Sequence, residues 1–196
     1  MTIDLSFDLE TLGTGPDAVV LEIGAVPFDP NGSDTVETLM PRARQFTLPI
    51  QSQLDAGREV DAGALQFWLD PERRTTKAGY MFERVAYRDK FYPHYSHALD
   101  LFLEWCLAEF NVLSAPPVSR SWANSPSFDH VKLRGLLESC KRTVPLVLSY
   151  RHERDVRTQR DFCGLTDFQV PGLVPHDAVH DAIYQALLVQ ETYKRR

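Results

Sequence analysis

The 196 residues hold only three cysteines, Cys106, Cys140 and Cys163. No CxxC is present and none of the three stands beside histidines at zinc-ligand spacing, which excludes a disulfide scaffold and a cysteine-based zinc site. They are expected as reduced thiols in or near the core. Long apolar runs are also missing. Stretches such as Val19 to Leu21 or Leu146 to Leu148 are far too short to cross a bilayer. No charged segment followed by an apolar one opens the chain, so nothing suggests export and the cytoplasm is the expected location. Positive charge is scarce: 21 Lys and Arg face 27 Asp and Glu, for a net charge of −6. That balance argues against a protein that grips nucleic acid by bulk electrostatics alone, but it leaves room for an enzyme with a local basic groove. Clusters of acids that hold metal ions contribute to such a balance.

Repeats, low-complexity tracts and linkers are absent as well. The remaining composition, 43% hydrophobic and 24% charged with 10 Gly and 13 Pro, is that of an ordinary globular chain. At roughly 150 residues per domain, the length predicts one domain over residues 1–196 with a sizeable core.

Residues Thr2 to Glu10 alternate, with Ile3, Leu5, Phe7 and Leu9 on one side and Thr2, Asp4, Ser6, Asp8 and Glu10 on the other. Period two predicts a strand with one buried face. A Gly-rich turn at Gly13 to Pro16 leads to a second strand over Ala18 to Phe28. Pro30-Asn31-Gly32 reads as a hairpin turn, and a third strand is expected within Thr35 to Leu48, interrupted near Pro41. Helices are predicted over Asp61 to Leu69, Pro71 to Gly79, Ser96 to Phe110, Ser127 to Cys140, Arg151 to Phe162 and Asp177 to Tyr193. Short strands are expected at Val118 to Ala123 and Val144 to Leu148, while the aromatic stretch Tyr80 to Tyr95 has no clear pattern. An antiparallel meander followed by alternating helices and strands predicts an α/β fold, a mixed sheet with flanking helices.

Asp8 and Glu10 lie two apart near the end of the first strand, so both emerge from one face, roughly 6.6 Å apart along the chain. Adjacent acids repel unless a proton or cation compensates them. Mg²⁺ and Mn²⁺, hard ions that favour oxygen ligands, would do so. An isolated Asp-x-Glu is an ordinary solvated strand face, and the context is what singles this one out. Phe7-Asp8-Leu9-Glu10-Thr11-Leu12-Gly13 runs into a glycine turn where backbone can approach a ligand. Trp122-Ala123-Asn124-Ser125-Pro126-Ser127-Phe128-Asp129 places another acid just past a strand, at a helix start. His176-Asp177-Ala178-Val179-His180-Asp181 puts a histidine five residues before an acid. On one continuous helix, five steps of ~100° would set His176 and Asp181 about 140° apart. Pro175 and the cap at Asp177 instead place His176 in the loop ahead of the helix.

These motifs, in this order, resemble the DEDDh 3′–5′ exonucleases of the ribonuclease H-like superfamily. The resemblance spans nearly the whole chain, and it looks closest to the branch of phage exonuclease A and the mycobacterial-type 3′–5′ exoribonucleases. Glu22-Ile23-Gly24-Ala25-Val26 and Arg154-Asp155-Val156-Arg157-Thr158 add to it. The resemblance implies a ribonuclease H-like sheet. It also implies that Asp8, Glu10, Asp129 and Asp181 hold two divalent cations, with His176 as general base near neutral pH. It further implies a metal-dependent exonuclease that releases nucleoside monophosphates from single-stranded 3′ ends. The phage-like features tilt the expectation to DNA over RNA, which a contact to the 2′-OH would distinguish. A homodimer is implied by similar enzymes. A nucleic-acid-binding module without activity is the alternative from another class, and the presence of all four acids and the histidine weighs against it.

For substrate, Thr11, Leu12 and Gly13 would bring backbone N–H groups and an apolar side chain to the terminal nucleotide, as in similar enzymes. Trp68 either stacks on a base or fills the core, and Asn124 either bonds near the site or shapes a turn. His180 and His130 adjoin acids but face elsewhere, so a place on the surface or behind the site is expected for both. Arg151, Arg154, Arg157 and Arg160 recur every three residues among acids, which predicts a solvated face for most of them.

Overall fold

A computed structural model describes residues 3–71, 80–92, 94–110 and 119–195. Its centre is a five-stranded sheet in the order β3-β2-β1-β4-β5. Strands β1 (Asp4–Thr11) and β2 (Val20–Phe28) pair antiparallel, and helix α1 (Val36–Leu39) leads to the edge strand β3 (Arg44–Thr47), antiparallel to β2. Then come α2 (Gln51–Asp55), α3 (Ala62–Leu69), α4 (Met81–Phe91) and α5 (Ser96–Phe110). Strand β4 (Ser121–Ala123) lies parallel to β1 and is followed by α6 (Asp129–Ser139). Strand β5 (Glu153–Asp155) lies parallel to β4 and runs into α7 (Val156–Phe162), and α8 (Ala178–Lys194) closes the described chain. The meander-then-parallel sheet expected from the sequence is present. Among the described residues no helix is long and apolar enough to cross a membrane.

The alternation of β1 decides what each face of the sheet meets. Leu5, Phe7 and Leu9 point into a core shared with Leu99 and Phe102 of α5 and Leu133, Leu136 and Leu137 of α6. The other face meets α8, whose Ala182, Ile183 and Ala186 pack with Val26 and Phe28 of β2. On that face Ser6 Oγ donates to the carbonyl of Ala182 (2.8 Å), and the buried Asp4 accepts from Trp122 Nε1 (2.8 Å). Gly24, opposite Asp8 in the β1–β2 register, is the seat of α8: a Cβ there would lie 2.0 Å from the backbone of Ala178.

Three elements differ from the sequence expectation, and one fills a stretch for which there was none. The third strand is confined to β3, and Val36–Leu39 is a helical turn because Thr38 Oγ1 accepts from the backbone N–H of Thr35 at the turn's start. Leu146–Leu148 forms a 3₁₀ turn instead of a strand, following Pro145, whose ring fixes φ and removes a donor. The expected helix over Arg151 to Phe162 begins only at Val156, since Asp155 caps it by accepting from the N–H of Arg157 (2.9 Å), and Glu153–Asp155 joins the sheet. The unplaced aromatic stretch contains α4, which buries Met81 and Val85 and exposes Tyr80, Tyr87 and Phe91. Of the helix expected over Pro71 to Gly79, residues 72–79 lie outside the described residues.

Candidate active site

The acids collect where β1 ends. Asp8 and Glu10 leave the face of β1 that meets α8, and Glu10 stands opposite Glu22 in the register with β2. Glu22 is already satisfied. It accepts from Arg84 Nε (2.7 Å) and Nη2 (2.9 Å), from Gln45 Nε2 (2.6 Å) and from Thr47 Oγ1 (3.1 Å). Glu10 is not, for its buried Oε1 has no hydrogen-bond partner among the described residues. Along β1 the polar side chains therefore pass from paired at Asp4 and Ser6 to open at Glu10.

Asp129 is the first residue of α6, with its backbone N–H bonded to the carbonyl of Ser125 (3.0 Å). Asp181 lies in the first turn of α8, whose cap Asp177 accepts from the N–H of His180. His176 sits in the loop before α8 with a left-handed φ of 60°. Its backbone N–H donates to Asp181 Oδ2 (2.8 Å), and its exposed ring meets Phe67 edge-on with centroids 4.8 Å apart. Glu10, His176 and Asp181 each offer one ligand atom, all within 4.8 Å of one another.

Burial shapes the electrostatics of the cluster. Desolvation, followed by the charges of Asp129, Glu10 and Asp181, holds the Asp8 carboxyl well above its usual range, although a hydrogen bond from Gln185 works against this. Glu10 is raised likewise, by burial first and then by Asp181 and Glu22. Burial pushes Asp129 up to about 7, opposed by the backbone N–H of Ser125 and the charge of Lys132. It pushes Asp181 to about 6, opposed by the N–H of His176. Acids packed this way hold protons unless a cation replaces them. The donor set is all oxygen with one imidazole, and one buried carboxylate oxygen is unpartnered, which suits a hard divalent cation.

These groups line a cavity of about 900 Å³. Of the residues expected at the substrate, Thr11, Gly13, Trp68 and Asn124 line it and Leu12 does not. Leu12 is packed with Val19, Leu21, Trp68, Met81 and Val85, and its N–H bonds to the carbonyl of Val19 (2.8 Å), so its side chain belongs to the core. Trp68 both fills and lines: it is 6% exposed, and its Nε1 donates to the carbonyl of Thr11 (2.9 Å). Thr11 Oγ1 donates to the carbonyl of Gly13 (2.9 Å). Asp61 ties the turn to α3 by accepting from the N–H groups of Thr14 (2.9 Å) and Ala64 (2.7 Å).

Two histidines are deeper than a surface position. His130 is 1% exposed, shares a 2.8 Å hydrogen bond with Ser121 Oγ and lies edge-on to Phe7 behind Asp129, where burial pushes its pKa down to about 3. His180 is buried, with Nδ1 accepting from the N–H of Val174 (2.9 Å). Sequence reasoning missed Phe67, Asp61 and Gln185 on the cavity wall. A signal existed for Gln185, which follows Asp181 by four residues and so shares its face of α8. Arg157 also lines the cavity, and its guanidinium makes no hydrogen bond or ion pair among the described residues.

A sheet of this topology, with acids gathered at the end of its central strand, has the ribonuclease H-like fold. The model of the Rv2179c-like 3′–5′ exoribonuclease domain matches residues 4–193, and the chain belongs to that family. It is a phosphodiester hydrolase with 3′–5′ exonuclease activity, acting on nucleic acid. The chain is 26% identical over 216 residues to an exodeoxyribonuclease of Enterobacteria phage T4, covering 95% of this chain and 87% of that one. Two solved structures share the fold. Cell-death related nuclease 4 (CRN-4) matches at a TM-score of 0.52 and 11% identity, over 99% of this chain but only 64% of that longer one. S. pombe Pop2p, in a form with Mg²⁺ and Mn²⁺ bound, matches at 0.52 and 14% identity, over 95% of this chain and 81% of that one.

Proposed function

We propose that the protein removes nucleoside monophosphates one at a time from the 3′ end of single-stranded nucleic acid, with two divalent cations, Mg²⁺ or Mn²⁺, held by Asp8, Glu10, Asp129 and Asp181. The observation that carries this reading is the cluster of buried and half-buried, mutually repelling acids on the wall of an open cavity, with one carboxylate oxygen of Glu10 left unpartnered among the described residues. Bound there, the cations would supply Lewis acidity at the attacking water and at the departing oxygen. His176 accepts the proton of that water at an imidazole nitrogen. The water oxygen bonds to the terminal phosphorus, the bond from phosphorus to the 3′ oxygen of the preceding nucleotide breaks, and that oxygen leaves with the shortened strand.

The walls suit the two ends of a nucleotide. Phe67 and Trp68 present aromatic surface to a base, and the unengaged guanidinium of Arg157 brings positive charge for a phosphate. Thr11, Gly13 and Asn124 would complete the terminal-nucleotide site through backbone and amide groups. The phage relative supports DNA as the substrate, and the family description supports RNA.

The test uses 5′-labelled single-stranded DNA and RNA of matched sequence, with Mg²⁺, Mn²⁺ or EDTA, beside an Asp8→Ala protein. A cation-dependent ladder from the 3′ end, absent in the variant, is the expected result, and the faster strand identifies the sugar. Intact strands under every condition would sink this reading.

A further inference from the structure

Gln185 is an amide buried among the acids. It lies on α8, 3% exposed, on the cavity wall, one turn beyond Asp181. Its Nε2 donates to Asp8 Oδ1 at 2.8 Å. Its buried Oε1 has no partner among the described residues. Ile183, Ala186 and Leu187 of α8 pack into the core, and the helix's other buried amide, Gln190, is engaged by Asp29 and Asp34 away from the site, whereas the amide at 185 is turned to the acids.

The residue type fits that service. Nε2 can only donate, so the bond fixes which Asp8 oxygen it occupies and leaves Oδ2 for another partner. A lysine or arginine at 185 would also bond Asp8, but its charge would neutralise the cluster and compete with a cation. A neutral amide orients the carboxylate and preserves the negative charge. Position 185 is also fixed from outside the site. Gly24, the strand partner of Asp8, admits the start of α8 against β2, and Ser6 Oγ bonds to Ala182 one turn before Gln185. Helix and strand are thus locked in a register that brings Gln185 to Asp8.

We infer that Gln185 is a positioning residue for the cation site: it holds Asp8 in its ligating orientation, and its free Oε1 accepts a hydrogen bond from a donor that arrives with the cation, such as a bound water. The inference rests on the proposed cation site. Outer groups that orient a metal ligand typically influence metal affinity by about 10–100-fold.

The experiment titrates Mn²⁺ alone into the 196-residue protein by calorimetry, comparing the wild type with Gln185→Met, which keeps the length and loses the hydrogen bonds. Gln185→Asn, which keeps the amide and loses the reach, serves as a second variant should the first fail to fold. Both are expected to bind Mn²⁺ roughly 10-fold or more weakly, with melting temperatures in EDTA close to wild type. In the ladder assay the half-saturating Mn²⁺ concentration should rise by a similar factor while excess Mn²⁺ restores the rate, which a purely structural defect would not allow. Wild-type Mn²⁺ affinity in either folded variant would overturn the inference. Asp8→Asn separates this from failure of the underlying reading: if it too binds Mn²⁺ as wild type does, the cation site itself is wrong.

Discussion

The acids and the histidine stand on different kinds of backbone. Asp8 and Glu10 belong to the central strand, Asp129 and Asp181 to the first turns of α6 and α8, and each of those elements is locked into the core on its other side. His176 stands on a loop, exposed, at a φ of 60° that few non-glycine residues adopt. Its backbone is tied to the cluster through the N–H that donates to Asp181. Under the proposed function the difference separates two tasks. Groups that hold charge need a fixed spacing, which strands and helices supply. A group that takes a proton must meet a water whose place is set by the substrate, and a loop can bring it there.

Asp181 belongs to both regions, so changing it should do the most harm. Asp181→Asn removes one negative charge from the cluster and weakens the acceptor that fixes the His176 loop. We expect the rate to fall beyond the 10²–10⁴-fold that a general base typically contributes, with Mn²⁺ binding lost in calorimetry. Retained Mn²⁺ binding would place Asp181 with the loop instead of with the acids. His176→Ala should cost about 10²–10⁴-fold in turnover and leave most of the Mn²⁺ affinity in place. If Mn²⁺ affinity falls as far as turnover does, the histidine is a ligand and the division between the regions fails. The 4.8 Å cluster of Glu10, His176 and Asp181 makes that a real contest.

Gly24 tests the acids' side of the comparison without touching an acid. A Cβ there would lie 2.0 Å from Ala178 carbon and oxygen, both backbone atoms that cannot swing aside. Gly24→Ala should therefore push α8 from the sheet and destabilise the fold by about 1–3 kcal/mol or more, as overpacking does, measured by urea denaturation. Activity in the surviving folded fraction should also drop, because Asp181 and Gln185 ride on the displaced helix. A stable, fully active variant would show that α8 need not sit so close.

Much of this was legible in the chain, for reasons that differ by residue. The alternation over Ile3 to Glu10 gave both the strand and the shared face of Asp8 and Glu10, since period two is a local property. Pro175 and the Asp177 cap marked the loop of His176 in the same local way. Strand β5 was hidden because three polar residues carry no period, and only its pairing with β4 makes it a strand. Helix α1 depends on short-range hydrogen bonds, from Leu39 N–H to the Thr35 carbonyl, from Met40 N–H to the Val36 carbonyl and from Thr35 N–H to Thr38 Oγ1, inside a stretch whose composition suits a strand. Leu12 and His130 show the limit most plainly. Each adjoins a residue of the site in sequence, yet each side chain turns into the core. Gln185 meets Asp8 across 177 positions, a contact that no local pattern encodes.

The smallest expected effect concerns protons. In the folded protein without cations, burial raises Asp129 to about 7 and Asp181 to about 6, against ordinary values of 3.8. The unfolded chain releases those protons near its ordinary values, so the folded state holds more protons between about pH 4 and 7. The acids' contribution to stability is therefore present at low pH and lost as pH rises through that window. His130 acts in the opposite sense. Held down to about 3 in the fold, against an ordinary 6.5, it loses stability for the protein as pH falls below 6.5. Comparing melting temperatures with EDTA and with Mn²⁺ at each pH isolates the acids, because His130 titrates alike in both series. The gap between the two series should widen from pH 5 to pH 8, by several degrees at about 2–4 °C per kcal/mol for a chain of this size. A gap independent of pH would mean that the acids carry no excess protons for a cation to displace, and the burial that sets them apart from the exposed histidine would then count for little.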